Sequence, residues 1–463
     1  MLLGARKIRW RLRRQHLSLS YTPSIKLNFH SLSQPMVDES DDFLPWLERK
    51  AGAEISSALS IGKSAYGTSL FASKSITAGD CVLKVPYSVQ LTPDNLVPEL
   101  KDMLSDGVGD AAKLATVVLF EQRMGNDSGW APYIRWLPRP EEMHCTIFWS
   151  DDELELIRQS SVYQETINQR SQIKKEFLAI RMALKNFPEM SKSITFMDFM
   201  HVYALVTSRA WGSMKGYSLI PFADFLNHDG TSESIVLSDN DKHISEVIAD
   251  RNYAPGEQVL IRYGKFSNAT LLLDFGFTLS YNVHDQVQVQ VNIPHHDVLR
   301  EMKWELLKRH HRPISNDVNG FDSSMDSFTI KEVRSGSGKG KGIPQSLRAF
   351  ARVLCCASPQ ELNDLAKEAA EHDGRLARRP LTSSIREIEA HQMLLSKLTQ
   401  LAEDCDASIK SLGHVSSPVT CERHSIRRQM AQDLLNGELH ILKTASAWLR
   451  NYCDTLTTTD CHR

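Results

Sequence analysis

The chain has 463 residues, of which 41% are hydrophobic and 24% charged, with a formal net charge of −2. That length holds two or three domains, each large enough to bury a core, and the ordinary composition is that of a globular protein rather than a low-complexity one. No apolar run approaches the roughly 18 residues of a membrane-crossing helix, and a near-neutral charge argues against a nucleic-acid binder.

The N-terminal segment differs from the rest. Arg6, Lys7, Arg9, Arg11, Arg13, Arg14 and Lys26 are basic, serines recur, and no acidic residue precedes Asp38. Residues 1–37 therefore read as an organellar transit peptide, without the long apolar stretch of a secretory signal. Without those positive charges the remainder carries a net charge of about −9, which again excludes nucleic acid as the natural partner. Eight cysteines are scattered, with no CxxC pair and no Cys/His cluster at zinc spacing, so free thiols and no metal are expected.

Next, Phe43, Trp46 and Leu47 suit a short helix that docks an apolar face. The run Tyr66-Gly-Thr-Ser-Leu-Phe-Ala-Ser and the run Cys81-Val-Leu-Lys-Val-Pro86 read as the two arms of a hairpin. From about 98 to 211 the pattern turns helical. Ser150 with Glu153 spells a capping box, a stripe of Ile173, Phe177, Leu178, Ile180 and Leu184 lies within 171–187, and Thr195 caps a helix whose last turn carries Arg209. Strands resume at 244–249 and 258–263, where Val259, Ile261 and Tyr263 share a face. Ser267 caps a short helix that Gly276 ends. Val287, Val289 and Val291 alternate with glutamines in one more strand, and 312–344 is rich in Ser, Gly, Asp and Lys and reads as a linker. Its Gly336-Ser-Gly-Lys-Gly-Lys-Gly lacks the spacing of a phosphate loop. Helices at 346–357, 359–370, 384–403 and 421–452 complete the chain.

Five motifs then occur in order: Gly67-Thr-Ser-Leu with Val82-Leu-Lys-Val-Pro, Ser208-Arg-Ala-Trp, Pro221-Phe-Ala-Asp-Phe-Leu-Asn-His, Gly256-Glu-Gln-Val-Leu-Ile-Arg-Tyr-Gly, and Ser267-Asn-Ala with Asp274-Phe-Gly-Phe. Pro132-Tyr-Ile-Arg-Trp-Leu-Pro and Ile147-Phe-Trp-Ser fall between them. The series resembles the SET-domain lysine methyltransferases of the Rubisco large-subunit methyltransferase class, over nearly everything after the basic segment.

The resemblance implies an α+β fold: a SET β-fold at 38–283 with a helical insertion at about 98–211, followed by an all-α substrate-binding domain at 284–463. It implies S-adenosylmethionine as cofactor, a protein substrate held by the helical domain, a monomer, and no metal. Carried onto this sequence, it makes Tyr263 the catalytic tyrosine at the methyl-transfer channel. Tyr66, Gly67, Thr68, Arg209, Asp224, Asn227 and His228 become cofactor contacts, and Phe275 lines the substrate channel. Two departures stand out. Ser69 occupies a position where the class often has a second glycine, and Phe275 replaces a frequent tyrosine. The resemblance suits a plastid, whereas the arginine density of the first fourteen residues suits a mitochondrion. The alternatives are a SET-like pseudoenzyme that serves as a protein-binding module, and a histidine-directed protein methyltransferase.

Overall fold

The computed structural model describes residues 42–104, 107–187, 194–213, 216–310, 326–334, 340–371, 374–413 and 422–460. The transit-peptide expectation for 1–37 lies outside them, as does most of the glycine-rich stretch from Gly336.

Helix α1 (Phe43–Ala51) buries Phe43 and Leu47, which lie one turn apart on one face, and ends at Gly52 in the left-handed region. It sets Phe43 against Tyr133, Trp136 and Phe225, behind the segment that carries Asp224 and Asn227. Strand β1 (Leu59–Ser64) pairs antiparallel with β2 (Gly67–Ala72), so the tight turn at Tyr66 closes this hairpin. The expected hairpin between 66–73 and 81–86 is thus corrected. β3 (Cys81–Pro86) pairs instead with a strand some 160 residues later. The reason is compositional: β1 reads Leu-Ser-Ile-Gly-Lys-Ser, with a glycine and little alternation, and gives almost no local strand signal.

The helical insertion is present. It comprises α2 (Pro98–Met103), α3 (Asp110–Met124), α4 (Ala131–Ile134), α5 (Asp151–Glu155), α6 (Ser161–Ala183) and α7 (Phe196–Arg209). Ser150 and Glu153 close a reciprocal capping box at α5, and Thr195 and Asp198 close one at α7. The stripe expected over 171–187 belongs to a longer helix that starts at Ser161, where the Ser160 hydroxyl accepts from the Val162 amide; Ile173, Phe177, Ile180 and Leu184 are buried, whereas Leu178 falls off that face and is exposed. Strands β4 (Trp211–Ser213) and β5 (Gly216–Ser218) form a short ribbon after α7. Then β6 (Asn227–His228), β7 (Val236–Asp239), β8 (Ile244–Ile248) and β9 (Leu260–Ile261) follow, with order β3-β8-β7 in the larger sheet and β6 parallel to β9. The strand expected over 258–263 is reduced to two paired residues, yet Val259 and Ile261 are buried on the face that Tyr263 shares.

Helix α8 (Asn268–Thr270) is capped by the Ser267 hydroxyl and runs on as a π-turn, Leu271–Phe275, that stops at Gly276. The C-terminal region contains α9 (Arg300–His310), α10 (Gln345–Leu354), α11 (Pro359–Glu371), α12 (Ser384–Gly413) and α13 (Glu422–Asp460). It is helical as expected, with one correction inside the stretch read as a linker. Residues Ser327–Lys331 form β11, which pairs antiparallel with β10 (Gln286–Gln290) and buries Phe328 and Ile330.

Helix α13 also reaches back onto the insertion. Leu434, Leu435 and Leu439 pack with Trp149, Leu154, Leu272 and Leu273 in one apolar cluster. Arg427 is buried there, donating to Glu153 at 2.6 Å and to the Phe148 carbonyl at 3.0 Å. A lone buried guanidinium would be costly, and the carboxylate and carbonyls around it supply the compensation. The tail is thereby fixed against the turn that carries Phe275.

Candidate active site

The centre of the site is built by a pair of two-residue strands. Asn227 lies opposite Leu260 and His228 opposite Ile261, in parallel register, and the Asp229 amide continues the ladder to the Ile261 carbonyl. The chain enters β6 through a 3₁₀ turn, Ala223–Phe225, preceded by Phe222 at φ 75°. A bulky residue in that region is strained, and complete burial of the Phe222 ring holds it there. The register brings Tyr263 beside His228, with the Tyr263 amide donating to His228 Nδ1 at 3.1 Å. An accepting Nδ1 means a neutral imidazole, and burial pushes the His228 pKa down to about 4, which keeps it neutral.

Tyr263 donates its hydroxyl proton to the Leu226 carbonyl at 2.7 Å. Burial holds its pKa well above the ordinary tyrosine value, so the group remains a protonated phenol. Its ring stands in an aromatic box. His228 is 5.1 Å away, Phe275 5.3 Å, Trp211 5.8 Å edge-on and Phe277 6.4 Å edge-on, centroid to centroid. Phe266 backs Phe275 at 5.5 Å. Phe275 and Phe277 flank Gly276, whose φ is 76° and where a Cβ would meet the Cys145 backbone nitrogen at 2.7 Å. Glycine is required there twice over, once for the dihedral and once for the close approach of the insertion.

Arg209, in the last turn of α7, is partly exposed and donates to the Asp224 main-chain carbonyl at 2.9 Å, with its guanidinium 3.6 Å from the Asp224 carboxylate. Asp224 is buried and accepts from the Tyr133 hydroxyl at 2.8 Å, while its Oδ1 is buried without a hydrogen bond. Burial raises its pKa to about 6, against the lowering effect of Arg209 and Tyr133. Asp224 therefore acts on Arg209 rather than facing open space, and Arg209 keeps donors for an anionic group.

At the hairpin turn Tyr66 is exposed and Gly67 has φ 88°, with no atom within 4 Å of where a Cβ would stand. Asn227 Nδ2 donates to Ser69 Oγ at 2.7 Å and to the Thr68 carbonyl at 3.3 Å. These contacts tie β6 to β2, and bring Thr68, Asn227, His228 and Tyr263 along one line of the structure. Tyr66 lies at its margin, on the exposed turn.

Sequence reasoning passed over three side chains that the structure gives a part: Trp211, Phe277 and Tyr133. All three stand inside motifs quoted above, so the signal was present, but nothing local says that they converge. Among the described residues no group of three or more His, Cys, Asp or Glu side chains is placed to hold a metal ion, and no helix is long and apolar enough to cross a membrane. A separate cavity of about 410 Å³, lined in part by Arg300 and Trp304, contains none of the residues above.

The fold and this constellation define a SET-domain protein: residues 67–264 match the SET domain model. More particularly, residues 294–442 match the model for Rubisco LSMT substrate-binding, so the chain joins a SET domain to a Rubisco LSMT substrate-binding domain. A structure of the SET domain of LSMT bound to lysine and AdoHcy superposes with a TM-score of 0.69 at 18% identity, covering 90% of this chain and 92% of that one. Rubisco LSMT bound to AdoMet superposes with a TM-score of 0.65 at 19% identity, covering 91% and 93%. At that identity the likeness is one of fold.

Curated relatives include the chloroplastic [fructose-bisphosphate aldolase]-lysine N-methyltransferase of Arabidopsis thaliana. It is 25% identical over 278 residues, 57% of this chain and 57% of the relative. Actin-histidine N-methyltransferases also match. That of Gallus gallus is 26% identical over 359 residues, 73% of this chain and 56% of the relative, and that of Danio rerio 28% over 316 residues, 64% and 49%. The chain spans little more than half the length of the first of these relatives.

Proposed function

We propose that the chain is an S-adenosylmethionine-dependent protein-lysine N-methyltransferase with Tyr263 as its catalytic side chain. The observation that carries this reading is the Tyr263 hydroxyl, held on the Leu226 carbonyl inside a box of aromatic rings. The cofactor's groups fit the residues beside it. Asn227 has its amide nitrogen engaged and its carbonyl oxygen available, Arg209 offers a guanidinium to a carboxylate, and Gly67 leaves open space at the turn. His228, on the same strand, contributes backbone and a neutral ring. When bound, S-adenosylmethionine supplies an electrophilic methyl group on a sulfonium centre and departs as a neutral thioether.

The protein's own work is to deliver a neutral amine, align it and exclude water. With its O–H donating to the Leu226 carbonyl, the Tyr263 oxygen presents lone pairs, and together with that carbonyl it accepts N–H bonds from the amine. That aims the nitrogen lone pair at the methyl group. A neutral His228 adds no positive charge against an incoming amine, and ring faces favour the cationic product. Phe275 walls the channel without adding a hydroxyl.

In this reading a SET domain spans 38–283, with the insertion at about 98–211, and the helical domain at 284–463 holds the protein substrate, the whole acting as a monomer. An organellar destination is supported by the basic, acid-free segment 1–37 and by the chloroplastic relative. A histidine acceptor is the second reading, and the similarity to actin-histidine N-methyltransferases favours it.

Labelled S-adenosylmethionine incubated with the protein and organelle extract, followed by total hydrolysis and separation of methylated amino acids, tests the proposal. Methyl-lysine is expected. Methylhistidine would establish the second reading, and a well-folded protein that binds no S-adenosylhomocysteine and transfers no label would be a binding module rather than an enzyme.

A further inference from the structure

We propose that Ser69 is a positioning residue that fixes the Asn227 amide in one orientation, with its carbonyl oxygen turned away from the β1–β2 hairpin and available to a hydrogen-bond donor on the cofactor. The inference rests on the methyltransferase reading above. Three observations carry it. Ser69 is completely buried, so its hydroxyl must find partners within the protein. Its oxygen accepts from Asn227 Nδ2 at 2.7 Å, and its own proton has two acceptors in reach, Ser64 Oγ at 2.8 Å and the Gly67 carbonyl at 3.1 Å. Asn227 Nδ2 also donates to the Thr68 carbonyl at 3.3 Å.

A main-chain carbonyl can only accept, so the side of the Asn227 amide that meets Thr68 must be the NH₂ group. Both amide hydrogens are then used on the hairpin, and Oδ1 is left as a pure acceptor. Ser64 extends the chain of contacts, since its hydroxyl oxygen also accepts from the Tyr66 amide at 3.0 Å. The relay Ser64–Ser69–Asn227 thus runs from the Gly67 turn to β6, and couples the two walls between which the cofactor would lie. Where relatives of this class carry glycine at the Ser69 position, no side chain can supply the link. In this protein the Thr68 carbonyl sets which way the Asn227 amide faces and Ser69 holds it there, so the site favours a ligand that presents a donor to Asn227 over one that presents an acceptor.

Calorimetric titration of S-adenosylhomocysteine into the wild-type chain, Ser69→Ala, Asn227→Ala and the double variant tests this. Ser69→Ala is expected to bind about tenfold more weakly, because Nδ2 loses the shorter of its two contacts and the amide is held only by the 3.3 Å bond to the Thr68 carbonyl. The double variant is expected to bind no more weakly than Asn227→Ala alone, since Ser69 acts through that amide. A residue needed only for folding would instead add its loss in the double variant. If Ser69→Ala unfolds, Ser64→Ala, expected to weaken binding a few-fold, takes its place in the same cycle. Wild-type affinity in the serine variants, or losses that multiply in the double variant, would overturn the role of Ser69 while leaving the methyltransferase reading intact. A folded wild-type chain that binds no S-adenosylhomocysteine would overturn both.

Discussion

The Tyr263 hydroxyl is committed before any ligand arrives. It donates to the Leu226 carbonyl, the Tyr263 amide donates to His228 Nδ1, and four rings prevent the side chain from turning. Removing one preorganised oxygen from such a site typically costs about 10²–10³ in rate. Tyr263→Phe is accordingly expected to lower kcat by about that factor while S-adenosylhomocysteine binds as before, read by single-turnover transfer and calorimetry; an unchanged rate would take Tyr263 out of the reaction. Tyr133 works at one remove. Its hydroxyl donates to the Asp224 carboxylate at 2.8 Å, and Asp224 in turn lies against Arg209. Tyr133→Phe leaves a buried carboxylate with Arg209 alone and should cost about 1–3 kcal/mol in denaturant unfolding. Affinity for S-adenosylhomocysteine should fall with it, and an unaffected stability would show that Asp224 is protonated and indifferent to the hydroxyl.

Elements differ in how much of the site they could announce. Caps are local, and the Ser150–Glu153 and Thr195–Asp198 boxes, the Ser267 cap and the Gly276 stop are all legible from a few adjacent residues. The pairing of β6 with β9 is not. It joins residues 33 positions apart through two-residue strands too short to show any period, and only the succession of motifs hinted that Tyr263 and His228 meet. β1 and β11 failed for a different reason: each buries few side chains, and each is embedded in glycine, serine or charge that outweighs them. Gly276 shows what an element-level constraint is worth. In Gly276→Ala, the left-handed φ costs about 1–2 kcal/mol, and the new methyl group strikes the Cys145 backbone, so the π-turn must move and take Phe275 and Phe277 with it. The variant should unfold at a lower temperature and transfer methyl groups more slowly at saturating cofactor. Normal turnover despite the lower midpoint would mean that the aromatic box tolerates displacement.

At the scale of the whole molecule the seam between α13 and the insertion carries a pH dependence of its own. Glu438, completely buried, accepts from the Ser160 hydroxyl at 2.7 Å, and burial raises its pKa to about 8, with Asp285 adding to the rise. In the unfolded chain it titrates near 4.5. The folded state thus holds a proton that the unfolded state releases, and stability is lost as pH rises from about 4.5 to about 8. Asp224, Asp274 and Asp285, raised to about 6, act with the same sign but only between 3.8 and 6. His228 and His391, lowered to about 4, act with the opposite sign below 6.5. Between pH 6.5 and 8.5 the buried thiols of Cys145, Cys356 and Cys405, raised from 9.0 to about 12, begin to act with the same sign, so Glu438 is isolated by the difference between the wild type and a Glu438 variant. Glu438→Gln keeps an acceptor for Ser160 and removes the titration, so its stability relative to the wild type should climb across that window, by on the order of 1–3 kcal/mol. Urea unfolding at three pH values reads it directly. A constant difference between the two proteins would mean that water or a shift of α13 reaches the carboxylate, and that the seam holding the tail against the Phe275 turn is looser than its packing implies.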